Sequence, residues 1–495
     1  MTLLFSYLIL VIYIIAILLV FAYGLAQMNL LNNYLKSKRN PQIIPQFDFS
    51  DANEIPFVTI QLPIYNEKYV VERLLENIIK LEYPKNKIEF QVLDDSTDDS
   101  VFITKKIIDK LENQGFDIKH ITRKNRIGFK AGALKEGLIT AKGEFIAIFD
   151  ADFLPQKNWL LQTIPNFKNP RVGVVQTRWG HLNRDYSVLT KIQAFALDAH
   201  FTLEQTGRNS QKHCINFNGT AGVWRKNCII DAGNWQADTL TEDLDLSYRA
   251  QLKKWEFVYL ENVVTPAELP AVISAARSQQ FRWNKGGAEN FMKMAVHVFR
   301  SDNLSNKSKL HGLLHLLNSS MFLCVFAIAI TSVPMLFIKN NFANGKIIFN
   351  VMAFFIVTSV LFFICYWHTF KNIQGGGFRN FIKYIGLFFT FYSIAMGFSF
   401  QNSVAVLEGL WGKKSEFVRT PKFNTDNFQN VLKNNSYLNN KISRNTIAEG
   451  FLVLYFLFGL YSGFKLNDFG LYPFHLMLVS GFGYVFYQSI KNEKF

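Results

Sequence analysis

Apolar residues in this chain are segregated, and the segregation limits its fold more than any single motif does. Residues 3–23 carry no charged side chain, and about 20 apolar residues suffice for a helix to cross the hydrocarbon core of a bilayer. Further apolar runs read as spans at about 312–338, 347–370, 448–464 and 470–490, with another apolar stretch at 384–407. Nothing comparable interrupts residues 29–310. The chain is 49% hydrophobic with 49 Phe in 495 residues, too long for one ordinary core and too apolar for a wholly soluble enzyme. A soluble unit inserted between membrane helices accounts for both.

The N-terminal run is expected to be an uncleaved anchor. Gly24-Leu25-Ala26 resembles a weak cleavage site, but residues 1–7 contain no Lys or Arg and the run exceeds the 7 to 15 residues usual for a leader core. Lys36, Lys38 and Arg39 follow at once, so the bias of basic residues toward the cytoplasm places residues 29–310 inside. A net charge of +15 raises nucleic acid as a partner, yet no zinc-finger spacing, helix-turn-helix pattern or aromatic RNA-binding signature accompanies it. No nucleic acid is therefore expected; a membrane surface and anionic substrates explain the surplus. Cys214, Cys228, Cys324 and Cys365 have no paired spacing and read as free thiols.

The soluble region has an α/β rhythm. Strands are expected over 57–62, 89–93 and 145–149, with a helix over 70–81. Each strand delivers polar residues at its carboxyl end, the edge where open parallel sheets bind ligands. The run from Asp94 to Ser100 reads either as a polar turn with a helix N-cap or as a ligand site. Asp150-Ala151-Asp152 reads as a strand-end turn or as a clamp for Mg2+ or Mn2+ on a diphosphate, since hard oxygen ligands suit those ions. Lys130-Ala131-Gly132, after Arg123-Lys124-Asn125-Arg126, suits phosphates or forms a solvated basic turn. Thr241-Glu242-Asp243 is good N-cap chemistry before a helix over 244–252 and takes a further meaning from its neighbours.

The order of Pro63-Ile64-Tyr65-Asn66-Glu67, Asp94-Asp95, Asp150-Ala151-Asp152, Phe217-Asn218-Gly219-Thr220, Thr241-Glu242-Asp243 and Gln279-Gln280-Phe281-Arg282-Trp283 resembles the processive inverting family-2 glycosyltransferases, which include the cellulose and hyaluronan synthases. Residues 217–225 and the QQxRW form give a particular likeness to cellulose-synthase-like mannan and glucan synthases. The resemblance covers roughly residues 55–300. It implies an α/β, Rossmann-like glycosyltransferase-A domain, cytoplasmic, that binds a nucleotide sugar such as UDP-glucose or GDP-mannose. Tyr65, Glu67 and Asp95 would hold the nucleoside, Lys130 and Arg282 the diphosphate, Asp150 the ribose or a metal, and Asp152 the metal. Asp243 would be the general base of an inverting displacement, with Gln279, Trp283 and Asn218 on the acceptor side. The product would be a β-glycan, exported as it grows. A single addition to a lipid-linked or glycolipid acceptor, and a catalytically silent scaffold, are the rival readings.

The resemblance extends loosely into the membrane half. Phe417-Val418-Arg419-Thr420-Pro421-Lys422 resembles the FxVTxK gating loop of bacterial cellulose synthase, with Arg419 in place of Val, so Phe417, Thr420 and Lys422 would close over the donor. If 384–407 crossed the bilayer, the loop bearing Lys413, Lys414, Arg419, Lys422, Lys433, Lys441 and Arg444 would lie outside, against the charge bias. An interfacial helix is expected there instead. The resulting division is an anchor (1–28), a catalytic unit (29–310), a helix pair (311–371), an interfacial helix with a gating-like loop (372–447) and a C-terminal hairpin (448–495), together a multi-pass protein of the cell (inner) membrane. Its implied partners are the nucleotide sugar, the acceptor and the bilayer, with room for export or accessory subunits.

Overall fold

The computed structural model describes residues 3–40, 45, 55–341, 345–422, 424 and 443–492. Lys433 and Lys441 of the basic loop, and Lys494 beyond the last helix, lie outside these residues. After α1 (Leu3–Arg39), a parallel half is built from β1 (Val58–Ile64), α2 (Val71–Ile78), β2 (Ile88–Asp94), α3 (Ser100–Asn113), β3 (Ile118–Thr122), α4 (Phe129–Thr140) and β4 (Phe145–Ile148). The second half comprises α5 (Trp159–Thr163), β5 (Val172–His181), α6 (Val188–Ala199), α7 (Gln205–Asn209), β6 (Gly222–Arg225), α8 (Lys226–Asp231), α9 (Glu242–Leu252) and β7 (Glu256–Ala267). A π-helical turn, His200–Glu204, joins α6 to α7. There follow α10 (Ile273–Arg300), α11 (Asn306–Leu316), α12 (Ser320–Asn341), α13 (Gly345–Gln374), α14 (Phe378–Leu410), α15 (Arg444–Lys465) and α16 (Tyr472–Asn492).

The seven strands form one sheet in the order β3-β2-β1-β4-β6-β5-β7. β1 lies parallel between β2 and β4, so the chain winds outward in opposite directions from this pair and leaves a crevice at their carboxyl ends. Strand alternation accounts for the layers. Val58, Ile60, Leu62 and Ile64 of β1 join Leu74 and Ile78 of α2 in one core, each buried side chain stabilising by about 1.5–3 kcal/mol. The opposite face of the same strands is polar and paired: Thr59 Oγ1 donates to Glu89 Oε1 (2.6 Å) and Gln61 Nε2 to Gln91 Oε1 (3.0 Å). Gly137 lets α4 lie on that polar ladder, because a Cβ there would stand 2.7 Å from Gln61 Nε2. β1 continues past Pro63 to Ile64, which pairs with Asp94, and α2 is shorter than the apolar pattern because the chain turns at Ile79.

Among the described residues, five helices are long and apolar enough to cross a membrane: Leu4–Arg39, Ser320–Lys339, Ile356–Gln374, Phe378–Leu410 and Arg444–Lys465. These differ from the expected set in two places. α16, with His475, Gln488 and Lys491, is less apolar than the others, whereas residues 378–410 form one continuous helix. α15 and α16 nevertheless pack as a hairpin whose turn carries Asp468, ion-paired with Lys339 at the end of α12 (2.6 Å). The opposite ends of the bundle meet the α/β unit. Lys38 of α1 and Asn372 of α13 both reach Glu261 of β7, at 2.9 and 3.3 Å. α14 touches that unit along its length: Tyr384 packs on Phe195 of α6, Gln401 donates to the Arg277 carbonyl (3.0 Å), and Glu408 pairs with Lys285 of α10 (3.0 Å).

Candidate active site

The carboxyl ends of β1, β2 and β4, with α4, α9 and α10, surround a cavity of about 180 Å3. Every residue to which the resemblance gives a donor, acceptor, metal, gating or catalytic role lines it: Tyr65, Glu67, Asp95, Lys130, Asp150, Asp152, Asn218, Asp243, Gln279, Arg282, Trp283, Phe417, Thr420 and Lys422. At the end of β1, the Arg126 guanidinium lies 3.3 Å from the Tyr65 ring centroid, and Arg123 Nε donates to Asp95 Oδ1 at 2.8 Å. The basic run after β3 thus turns inward. Asp94 points elsewhere, held by His120 Nε2 (2.9 Å) and the Ser96 amide (2.9 Å). The turn-and-cap reading of this segment is partly right too, since Asp98 Oδ1 accepts from the Ser100 amide at 3.0 Å.

After β4 the two carboxylates separate. Lys130 Nζ donates to Asp150 Oδ1 (2.5 Å) and to the Gly219 carbonyl (2.9 Å). Burial disfavours the charged ammonium, but Asp150, Glu242 and Asp243 outweigh it and raise its pKa. Asp152 Oδ2 accepts from Lys422 Nζ (2.7 Å) and the Glu268 amide (3.1 Å), whereas its Oδ1 is buried without a hydrogen-bond partner. An orphaned carboxylate oxygen beside Asp150 fits a divalent cation. Among the described residues no group of three or more His, Cys, Asp or Glu is arranged to hold a metal ion by itself, so Mg2+ or Mn2+ held here would need further ligands from phosphate and water.

Thr241-Glu242-Asp243 opens α9, but Thr241 makes no side-chain cap. Its Oγ1 instead accepts from Asn290 Nδ2 of α10 (2.9 Å), and Gly286 of α10 approaches so closely that a Cβ there would stand 2.5 Å from Thr241 Oγ1. The acidic turn is therefore fixed to the helix that carries Arg282 and Trp283. Asp243 Oδ1 accepts from the Leu244 amide at 2.8 Å. Burial and the adjacent Glu242 push the Asp243 carboxyl up to about 7. Gly219, at φ +78°, faces it: a Cβ there would lie 3.0 Å from Asp243 Oδ2. Asn218 beside it is held by Gln205 Nε2 (2.7 Å to Oδ1) and by His200 Nε2 (3.0 Å to Nδ2).

The segment after α14 forms a strap across this cavity. Phe417 stacks on Phe129 (5.9 Å between centroids), the Arg282 guanidinium lies 4.5 Å from the Phe417 ring centroid, and Arg282 Nη2 donates to Thr420 Oγ1 at 2.8 Å. Arg419, the departure from the FxVTxK pattern, pairs with Glu67 at 2.8 Å. Burial raises the Glu67 carboxyl to about 7 even though Arg419 and Lys422 act against it. Lys285 of α10 ties Glu408 of α14 and Ser415 at the start of the strap, and Arg277 of the same helix holds Thr446 and Glu449 of α15. His200, Glu204, Lys285 and Arg277 carry no motif, and these partners were not legible from spacing.

A mostly parallel sheet whose crevice gathers carboxylates, a lysine and an arginine defines a glycosyltransferase-A-like fold. The model of a family described as "Glycosyltransferase like family 2" matches residues 56–286, and this part of the chain is a family-2 glycosyltransferase domain. The chain is 43% identical over 270 residues to a probable glucomannan 4-beta-mannosyltransferase 4 of Oryza sativa, covering 53% of this chain and 48% of that one. It is 42% identical over 255 residues to glucomannan 4-beta-mannosyltransferase 7 of Arabidopsis thaliana, covering 50% and 46%. It spans about half the length of the curated relatives it matches. A Pyrobaculum calidifontis mannosyltransferase, solved in complex with GDP-Man and Mn2+, superposes with a TM-score of 0.52 at 19% identity, covering 80% of this chain and all of that one; the likeness is one of fold.

Proposed function

We propose that this chain is a membrane-integrated inverting glycosyltransferase that adds hexosyl units from UDP-glucose or GDP-mannose to a growing β-glycan. The observation that carries the reading is Asp243: a carboxyl near 7, in the cavity that also holds Lys130, Arg282 and the indole of Trp283. A base of that strength takes the proton of an acceptor hydroxyl as it attacks the anomeric carbon, an effect of about 10²–10⁴-fold in rate. The nucleoside diphosphate leaves from the opposite face, so an α-linked donor gives a β-linkage. Arg282, Lys130 and Lys422 bring charge-assisted hydrogen bonds to the leaving group, Tyr65, Glu67 and Asp95 hold the nucleoside, and Trp283 with Gln279 and Asn218 seats the acceptor ring. Asp150 and Asp152 would hold Mg2+ or Mn2+, which when bound neutralises diphosphate charge.

The catalytic unit stands on the cytoplasmic face of the cell (inner) membrane, with α1, α12, α13, α15 and α16 crossing. α14 runs along the interface, a placement supported by its contacts with α6 and α10 at both ends. Phe417, Thr420 and Lys422 form a gating strap that answers to donor occupancy. Incubating the purified protein with labelled nucleotide sugars and sizing the products tests the reading: transfer from one donor into glycan supports it, and no turnover of any donor removes it in favour of a silent scaffold.

A further inference from the structure

A smaller cavity of about 60 Å3 adjoins the active-site cavity at the Phe129–Phe417 stack. The strap supplies part of its wall through Lys414, Ser415 and Phe417, and Lys414 Nζ fastens that wall by donating to the Asp238 carbonyl at 2.9 Å. The cavity therefore has these walls only while the strap is seated. At one end is the buried Glu242, and at the rim are the exposed Ala237, Asp238 and Lys414. The space is several times the roughly 10–15 Å3 that one water needs, and its carboxylates, ammonium groups and hydroxyls supply the two to four polar partners a water takes.

Lys130, Leu240, Glu242 and Phe417 line both cavities. Leu240 and Phe417 cannot carry a proton, and Lys130, held charged by Asp150, Glu242 and Asp243 in spite of its burial, has no lone pair to receive one. Of the four, Glu242 alone can accept a proton. It stands beside Asp243 in the first turn of α9 and is the main charged neighbour acting on that carboxyl. Glu289 of α10 lines the smaller cavity, where its Oε2 accepts from the Leu240 amide at 2.7 Å. Burial lifts both carboxyls above the ordinary range: Lys130 and Arg282 oppose the shift at Glu242 while Asp150 adds to it, and Lys285 and Lys414 oppose it at Glu289 while Asp238 adds to it. A carboxyl so placed takes up a proton more readily than one in water.

We propose that Glu242 and Glu289, with water in the smaller cavity, form the exit by which the proton taken by Asp243 reaches solvent. The proposal rests on the glycosyl-transfer reading with Asp243 as base. Each displacement breaks one acceptor O–H bond as the new C–O bond forms, and the proton goes to Asp243, which must lose it before the next sugar is added. With donor, acceptor and strap in place, the active-site cavity is covered. The proton then passes from Asp243 to Glu242, through water to Glu289, and out past Asp238, which returns Asp243 to its ionised form and consumes no other reactant. Glu242 and Glu289 act through Asp243, and their loss slows regeneration of the base.

The test follows transfer by the purified full chain from the nucleotide sugar it uses, in dilute and in concentrated imidazole buffer at equal pH and ionic strength. Glu289→Gln keeps an acceptor for the Leu240 amide, so the fold is retained. Its kcat in dilute buffer is expected to fall by about 10-fold, less than for loss of the base because Asp243 remains, while the KM for donor and the affinity for nucleoside diphosphate stay at wild-type values. Imidazole, which carries protons in place of the missing carboxylate, should restore the rate, and the solvent deuterium isotope effect on kcat should exceed that of wild type. Glu289→Asp should recover part of the loss without imidazole, and Glu242→Gln should show the same buffer dependence. A wild-type kcat and isotope effect in Glu289→Gln, or a loss of rate that imidazole does not restore, would each overturn the proposal. Absence of transfer by the wild-type chain from any nucleotide sugar would remove the glycosyl-transfer reading itself, whereas transfer with no buffer dependence in either variant would remove the proton exit alone.

Discussion

Replacing Asp243 by Asn separates the two consequences of its environment. The shift of its carboxyl from 3.8 to about 7 corresponds to roughly 4 kcal/mol against the ionised form. That figure is an upper bound. The side chain opens onto a cavity, and the neighbouring Glu242 is disfavoured by the same burial, so the observable part is about 1–2 kcal/mol. The sign follows from a carboxyl whose folded-state pKa is raised: the folded protein holds the proton more tightly, so this group costs stability above about pH 7 and ceases to cost it as the pH falls toward 4. Asp243→Asn should therefore melt a few degrees above wild type at pH 8.5, with the gap closing by pH 5. An amide cannot accept the acceptor's proton, so transfer should fall by about 10²–10⁴-fold. Wild-type transfer should climb with pH through about 7, and the variant's residual rate should lose that limb. The assay is thermal unfolding at both pH values alongside product formation. A pH-independent melting difference would refute the burial argument, and near-wild-type turnover would refute Asp243 as base.

Other perturbations probe the remaining parts of the site. Gly219→Ala adds a Cβ 3.0 Å from Asp243 Oδ2 at a backbone φ of +78°; transfer should drop at least tenfold while donor binding, followed by calorimetry, persists. Asp152→Ala, or excess EDTA, should stop transfer and weaken nucleoside diphosphate binding, and full activity in chelator would exclude a metal. Lys422→Ala removes the 2.7 Å contact to Asp152 and should raise the KM for donor more than it lowers kcat, because the strap acts on donor occupancy. A single Cys at Glu416, exposed in the strap, should resist impermeant thiol reagents in intact cells; labelling from outside would mean that α14 crosses the bilayer.

The carboxyl-end residues were legible because they obey local rules. A buried strand followed by Asp or Glu marks the binding edge of a parallel sheet whatever its partners, so Glu67, Asp95, Asp150 and Asp152 stand where strand periodicity put them. Thr241 shows the limit of such rules: its local pattern is that of a cap, but a partner 49 residues away, Asn290, takes its hydroxyl. The strap contacts are longer range still, Lys422 lying 270 residues from Asp152, and no spacing announces them. His200, Glu204 and Asn402 belong to a π-helical turn and a polar patch inside an apolar helix.

The most direct measurement of the central claim is the anomeric configuration of the product made by the purified protein, read by proton NMR from an α-linked nucleotide sugar with a neutral oligosaccharide acceptor. The account predicts a β-linked hexose added to the acceptor's end and lost with Asp243→Asn. An α-linked product, or hexose released only as free sugar at the wild-type rate in both proteins, would contradict it.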